Sequence, residues 1–410
     1  MTGKPELLCP AGGMEQLKTA LHFGADAVYG AMQRYGLRAF AGNFDRDGME
    51  EAVRLCHACN ARFYLTLNIF PFDDEIPGML EAAGEAREMG VDAVIVSDLG
   101  AICELRRHVP QLPLHVSTQA STVNASAIRH YASLGCRRVI LAREVSLERM
   151  RGIRRAIPVD MELECFIHGA SCVAWSGRCL LSAQLTGRSA NQGACAQPCR
   201  WKYALMEEKR PGEYLPVAED EHGTYLFSAR DLNLCGALPQ LREAGIDSFK
   251  IEGRMKNAYY IAVVTQAYRR AIDTLAEDEA AFREILPEIR NDLECASHRE
   301  SDTGFLYGPP QVPGDAEGFH QTREVLGRVT ADGNDGWVEM EMKNRFFVGD
   351  EVELMKRSGT EKARVREIRI PRTDQSVESW GIGGERVLVL LGLTARAGDM
   401  LRGPVRNHRM

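Results

Sequence analysis

The feature that most constrains this chain is a repeat in its first 270 residues, in which an amphipathic helix ends in glycine and a short apolar run follows at once. Four copies read Phe23-Gly-Ala-Asp-Ala-Val-Tyr29, Met89-Gly-Val-Asp-Ala-Val-Ile-Val96, Leu134-Gly-Cys-Arg-Arg-Val-Ile-Leu141 and Ala244-Gly-Ile-Asp-Ser-Phe-Lys-Ile251. Glycine supplies the left-handed residue that stops a helix, and the run after it has the composition of a strand buried on both faces. Further strand-like runs cover 5–10, 62–69, 114–118, 161–167 and 225–228. Strands alternating with helices imply parallel βαβ units. Around eight such strands before residue 260 predict an α/β fold, a (β/α)8 TIM-like barrel, regular or irregular. An open doubly wound sheet is the alternative, but Cys9-Pro-Ala-Gly-Gly13 after the first strand is only a tight turn and carries no Gly-x-Gly-x-x-Gly.

The barrel is expected over 1–272, interrupted at about 168–222 by a long insertion with little periodicity. Unstructured stretches of that length inside compact domains are usually functional, and this one leaves the carboxyl end of a strand, where barrel enzymes build their sites. A charged helical connector and linker is expected over 273–324. From 325 to 410 the pattern is β, with runs at 325–329, 337–341, 351–354, 363–370 and 387–393 separated by glycine and asparagine turns, which fits a small C-terminal β-barrel domain.

The net charge of -7 argues against coating nucleic acid or acidic membranes through bulk charge, while leaving room for a local basic patch. No apolar run approaches the roughly 18 residues of a membrane helix, and the first ten residues lack a signal-peptide pattern. The expectation is a soluble, cytoplasmic protein. Its twelve cysteines are then not a disulfide framework, because that compartment keeps thiols reduced.

Four of the twelve, Cys172, Cys179, Cys195 and Cys199, fall in one 28-residue window with spacing C-x6-C-x15-C-x3-C. Four thiolates on one irregular loop can hold a [4Fe–4S] cluster or a structural zinc ion. Zinc sites usually present tight C-x2–4-C knuckles, so the six-residue gap favours the cluster; packed thiols are the plain alternative. From Cys165 to Tyr203 there is no acid, against Arg178, Arg188, Arg200 and Lys202. A local charge of +4 would attract an anionic substrate and offset a thiolate-bound cluster, although each arginine singly fits a solvated face.

Gln119, Arg143, Glu144, Glu164, His168 and Arg254 fall at or just past the carboxyl ends of predicted strands. The structural alternatives for the arginines are ion pairs of Arg143 with Glu144 and of Arg254 with Glu252. Cys56-His-Ala-Cys59 lies in a helical stretch, and buried packing explains it, Cys9, Cys103, Cys136 and Cys295 most simply. Phosphate contacts could come from the window's arginines and from Arg149, Arg151, Arg154 and Arg155; Trp175, Trp201 and Tyr203 offer stacking faces, with core packing as the alternative. Neither His-Glu-x-x-His nor Gly-x-Ser-x-Gly occurs.

The motif Glu-x-Phe-x-His-Gly-Ala-x-Cys-x-x-x-Ser-Gly-Arg-Cys, followed by Arg-x-x-Asn-x-Gly-x-Cys-x-x-x-Cys-Arg-Trp, resembles the signature of the collagenase-like peptidase family U32. The likeness extends to Pro5-Glu-Leu-Leu-Cys-Pro-Ala-Gly12, Gly24-Ala-Asp-Ala-Val-Tyr29, Ile140-Leu-Ala-Arg143-Glu144-Val-Ser and Lys250-Ile-Glu-Gly-Arg254-Met-Lys256, nearly the whole chain. Within the family, the C-terminal β domain, Arg210-Pro-Gly-Glu-Tyr214 and Glu219-Asp-Glu-His-Gly-Thr-Tyr225 look most like the tRNA-hydroxylating members. The resemblance implies a [4Fe–4S] cluster on Cys172, Cys179, Cys195 and Cys199. It also implies oxygen-independent, prephenate-dependent formation of 5-hydroxyuridine at the tRNA wobble position. Other members hydroxylate ribosomal RNA or a quinone precursor, and the family label is peptidase; those readings stay open. Many relatives carry cysteine where this chain has Asn233, and Cys235 is a possible substitute for Cys199 as fourth ligand. On this reading Arg143 or Arg254 binds the carboxylate of prephenate, and His168 serves as proton donor or orienting group, with Glu144 beside them.

Overall fold

The computed structural model describes residues 3–38, 42–172, 174–201, 218–220, 223–225, 230–308, 319–333 and 335–406. These divide into two compact units, the first built on 1–17, 26–256 and 298–319, the second on 18–25, 257–297 and 320–410.

The first unit is the expected barrel. Its strands are β1 (Glu6–Pro10), β2 (Ala27–Gly30), β3 (Arg62–Leu67), β4 (Ala93–Val96), β5 (Leu114–Val116), β6 (Arg138–Ile140) and β7 (Glu162–Ala170). After a short strand β8 (Asp231–Asn233) comes β9 (Ser248–Ile251), which pairs in parallel with both β7 and β1 and so closes an eight-stranded parallel cylinder. The four glycines read as helix stops, Gly24, Gly90, Gly135 and Gly245, all have φ between +76° and +100°, the left-handed geometry that a β-carbon disfavours. Of the run 225–228, Tyr225 ends a small hairpin, Ala218–Asp220 with Gly223–Tyr225, and 226–228 lie outside the described residues. Strand β8 runs antiparallel to β7 with Asp231 opposite Ala170 and Asn233 opposite His168.

The barrel interior is charged. Arg138 of β6 is 2% exposed and bonds Glu6 of β1 at 2.6 Å and Glu164 of β7 at 2.9 Å; Lys250 of β9 bonds Glu164 at 2.8 Å. Tyr64 and Ser248 donate to Glu6 at 2.7 and 2.9 Å. Burying these charges costs several kcal/mol per ion unless pairing and hydrogen bonds offset it, and here the buried Glu6, Glu164, Arg138 and Lys250 join one network that Arg62 and Glu162 extend to the surface. Glu164, expected among the substrate-facing groups, is completely buried in this network.

The second unit joins helices Ala258–Glu277 and Glu279–Leu293 to an eight-stranded antiparallel sheet with a single apolar core that includes Leu326, Met340, Phe346, Leu354, Ile368, Val389 and Leu401. The apolar run 363–370 is divided at Val365 and Arg366 into two strands, Gly359–Arg364 and Glu367–Ile370, which pair with different neighbours. Strands Gln375–Val377 and Met400–Pro404 carried no clear alternation and escape sequence reading.

Candidate active site at the carboxyl mouth of the barrel

The cysteine loop leaves the carboxyl end of β7 and is held by the loops that follow other barrel strands. Lys250 of β9 pairs with Phe166 of β7, but the next residue, Ile251, pairs with His168, so β7 carries a bulge just below the insertion. A bulge re-aims the residues that follow it. Gly169 then takes φ +104°, and a β-carbon there would lie 2.3 Å from the Glu252 carbonyl oxygen. Only glycine permits this approach, which accounts for His168-Gly169 in the motif.

Between Cys172 and Cys179 the loop is pinned by Glu144. Its carboxylate accepts from the Ser176 amide at 2.8 Å and from the Ser176 hydroxyl at 3.0 Å, while Ser121 donates to the Ser176 carbonyl. Gly177, at φ +74°, sits where a β-carbon would lie 2.1 Å from the Gln119 carbonyl oxygen. Glu144 and Gln119 thus meet the loop, and neither of the ion pairs considered for the arginines forms. The second cysteine pair is held by the Ala196 amide on Ser182 at 3.0 Å and by Arg188 on the Ala194 carbonyl at 3.0 Å. Gly193 packs on Gly36 and Leu37, and the Phe70 amide bonds the Asn191 carbonyl at 3.3 Å. The loop after β2 and the loop after β3 therefore brace the insertion.

What collects at the mouth is a cationic group around one carboxylate. Burial would raise the pKa of Glu252, but Arg38, Arg143, Arg254 and Lys250 together hold it below the usual carboxylate range. Arg38 approaches Glu252 at 3.5 Å. Its guanidinium is held above the ordinary arginine range, first by Glu252 and then, against the cost of burial, by Cys172, Tyr29 and Cys195. Arg38 itself has φ +74°, a strained setting for a residue with a β-carbon, of the kind that persists where surrounding contacts impose it.

The two candidate arginines differ. Arg254 is buried and commits its guanidinium to the Leu37 carbonyl at 2.7 Å, the Thr66 hydroxyl at 3.2 Å and the Asn43 amide oxygen. Burial, opposed by Tyr29 and Glu252, lowers its pKa to about 10, so it remains charged at neutral pH. Arg143 is half-buried, lies 3.9 Å from the Phe166 ring centroid, and has no hydrogen bond or ion pair among the described residues. Lys250 stands 5.6 Å from the same ring's centroid and 4.3 Å from that of Tyr29.

His168 belongs to a different neighbourhood. Burial pushes its pKa down to about 3, Asp231 opposes this, and His298 and Lys256 add to it. The imidazole is therefore neutral at physiological pH. Asp231 in turn pairs with Arg299 at 2.6 Å.

Cys172 is exposed and Cys179, Cys195 and Cys199 are half-buried; among the described residues, no three His, Cys, Asp or Glu side chains stand close enough to hold a metal ion. Cys235 is buried, and the antiparallel register of β8 carries it down along β7: Leu234 already bonds the Ile167 carbonyl at 2.8 Å. The strand ends at Asn233, and Cys235 opens a short 3-10 helix, Cys235–Ala237. Cys9, Cys56, Cys136 and Cys295 are buried as expected, whereas Cys59 is exposed at the end of its helix. Trp175 and Trp201 are exposed, as is Phe72; Lys202 and Tyr203 lie outside the described residues. Arg154 bonds the Met161 and Pro158 carbonyls, at the amino end of β7 and so remote from the mouth, and Arg151 pairs with Glu243 at 3.4 Å. Sequence reasoning missed Arg38, whose loop has no periodic signature, and Glu252 and Tyr29 as site residues, although both lie at strand ends within quoted motifs.

A closed parallel barrel with a cysteine-rich loop and a cationic group at its carboxyl mouth defines a (β/α)8 scaffold of the enzyme type. Residues 12–315 match peptidase family U32 and residues 321–402 match the peptidase family U32 C-terminal domain. The chain belongs to peptidase family U32. It is 36% identical over 401 residues to tRNA hydroxylation protein P of Escherichia coli (strain K12), covering 87% of each chain. It is 39% identical over 361 residues to tRNA hydroxylation protein P1 of Bacillus subtilis (strain 168), covering 86% of this chain and 84% of that one. The 23S rRNA 5-hydroxycytidine C2501 synthase of E. coli is 36% identical over 316 residues, 77% of this chain and 44% of that protein. No described helix is long and apolar enough to cross a membrane.

Proposed function

We propose that this protein hydroxylates the wobble uridine of tRNA to 5-hydroxyuridine, without molecular oxygen and with prephenate as co-substrate. The reading is supported by the relatives named for tRNA hydroxylation. One arrangement carries it to this chain: the cysteine loop packs through Gly193 against Gly36 and Leu37, next to Arg38, whose guanidinium lies 3.5 Å from the Glu252 carboxylate. Cys172, Cys179, Cys195 and Cys199 would hold a [4Fe–4S] cluster, since four thiols on an acid-free loop beside a cation are a donor set suited to a thiolate-ligated iron centre. When bound, such a cluster supplies electron transfer or activation of an oxygen-bearing group.

The chain's own residues have separable tasks. Arg143, stacked on Phe166 and with no hydrogen bond or ion pair among the described residues, offers its planar fork to a carboxylate. Arg254 braces the loop after β2. His168, neutral, orients a partner by hydrogen bonding and does not deliver a proton as imidazolium. Glu144 positions the cysteine loop. Exposed Trp175 and Trp201 suit stacking on an unpaired base.

The test is nucleoside mass spectrometry of total tRNA from a strain lacking the gene, with iron analysis of anaerobically purified protein. Loss of 5-hydroxyuridine derivatives and about four irons per chain support the reading; an unchanged tRNA profile refutes it. The similarity to the rRNA synthase favours one alternative, which loss of 5-hydroxycytidine from ribosomal RNA in the same strain would select.

A further inference from the structure

We infer that the second unit binds the phosphodiester backbone of RNA in a basic cleft on its antiparallel sheet. The inference rests on the RNA reading above and concerns a surface separate from the cysteine loop. The cleft, about 750 Å3, is lined by Arg323, Lys362, Arg364, Arg366, Glu351 and Glu353. Glu353 is already engaged, by Arg402 at 2.7 Å and Arg323 at 3.3 Å. Glu351 and Glu353 lie directly opposite Arg364 and Lys362 in the strand register, and Arg364 bonds the Gly349 carbonyl at 2.9 Å. Two cations are left over: neither Lys362 nor Arg366 has a side-chain hydrogen bond or ion pair among the described residues, and both are exposed.

Arg366 is held in place without an anion. Its guanidinium carbon lies 3.3 Å from where a β-carbon on Gly392 would stand, and Gly392 has φ +71°. The glycine turn therefore leaves room for the guanidinium to lie against backbone at the cleft's end. Lys362 and Arg364 lie two residues apart on one strand, so their side chains share a face about 6.6 Å apart. A row of exposed, partly unpaired cations along an open cleft follows a polymer of repeating negative charge; a single buried anion would call for an enclosed pocket. Lysine on an edge strand also discourages edge-to-edge pairing, and Gly359–Arg364 is the sheet's edge. That explanation does not reach Arg366, which lies beyond the strand. A net surplus of cation in this cleft, within a chain of net charge -7, marks it as a local electrostatic footprint for nucleic acid.

The experiment measures binding of an unmodified tRNA transcript to the full-length protein across a series of KCl concentrations. Lys362→Gln/Arg366→Gln should weaken binding about tenfold near 100 mM KCl and reduce the slope of log K against log[salt] by roughly 1–2. Iron content and melting temperature should stay unchanged. Lys362→Arg/Arg366→Lys, which keeps both charges, should bind as wild type, and Glu351→Gln should bind more tightly. Wild-type affinity and slope in the double glutamine variant overturn the cleft while leaving the RNA reading intact. Wild-type protein with no salt-dependent binding of tRNA overturns both. A loss that persists in the charge-retaining variant indicates a packing effect and also overturns the proposal.

Discussion

Arg138→Met puts the charged barrel interior to a direct test. The substitution keeps an apolar stem of similar length but removes a partner from three carboxylates, Glu6, Glu162 and Glu164; Glu6 keeps the half-exposed Arg62 at 3.1 Å and Glu164 keeps Lys250. Removing one partner of a buried ion pair costs about 3–5 kcal/mol, because the surviving charge stays desolvated. At roughly 2–4 °C per kcal/mol for a unit of this size, the melting temperature should fall by roughly 6–20 °C. The pH dependence supplies a second, signed readout. In the wild type, burial would raise the Glu6 pKa, but Arg138, with help from Arg62 and Tyr64, holds it below the usual range. A depressed carboxyl contributes stability that is present above its unfolded pKa and lost as pH falls. Without Arg138 burial dominates, the folded pKa rises above the unfolded one, and the sign reverses: stability is lost as pH rises. The gap between wild type and variant in urea unfolding followed by circular dichroism should therefore be smaller at pH 5.5 than at pH 7.5. Adding Glu6→Gln and Glu164→Gln should recover part of the loss. A deficit below about 1 kcal/mol, or one that does not narrow at acid pH, refutes the reasoning.

Other outcomes follow from the mouth. His168 is buried neutral with a pKa of about 3, so the unfolded chain binds the proton first and stability contributed above about pH 6.5 drains away as pH falls. His168→Gln should flatten the stability–pH curve between pH 6.5 and 5 by up to about 1.4 kcal/mol per pH unit, read by urea titration; an unchanged slope contradicts the burial argument. Arg143→Lys keeps the charge but loses the fork, and should raise the KM for the carboxylate co-substrate about tenfold or more with little effect on melting temperature; unchanged kinetics remove Arg143 from binding. Glu144→Ala should free the Cys172–Cys179 segment, seen as faster proteolysis there and loss of iron, whereas intact protection would mean that Ser176 is held by other contacts. Cys199→Ser should lower iron content and Cys235→Ser should not; the reverse result would exchange their roles.

The barrel was legible because its cause is local and repeated: helix, left-handed glycine, apolar run. The cysteine window was equally legible, since spacing and the absence of acids are properties of the chain alone. Elements without a local cause were not. Strand β8 is three residues long and is defined by its pairing with β7 and with Ser301–Asp302, partners distant in sequence. The split of 363–370 arises from two different strand partners, which no run of hydrophobic residues announces.

The division is sharpest at the mouth. Composition and motif brought Arg143, Glu144, His168 and Arg254 forward together as residues at strand ends. Tertiary structure gave them four different surroundings: an arginine stacked on Phe166, a carboxylate bonded to Ser176, a buried neutral imidazole, and an arginine committed to backbone and amide oxygens. Arg38 entered the site only through the folding of its loop against Gly193 and Glu252. The reason is physical: residue type sets what a side chain can bond and charge, whereas its actual partner and its pKa depend on desolvation and on neighbours distant in sequence.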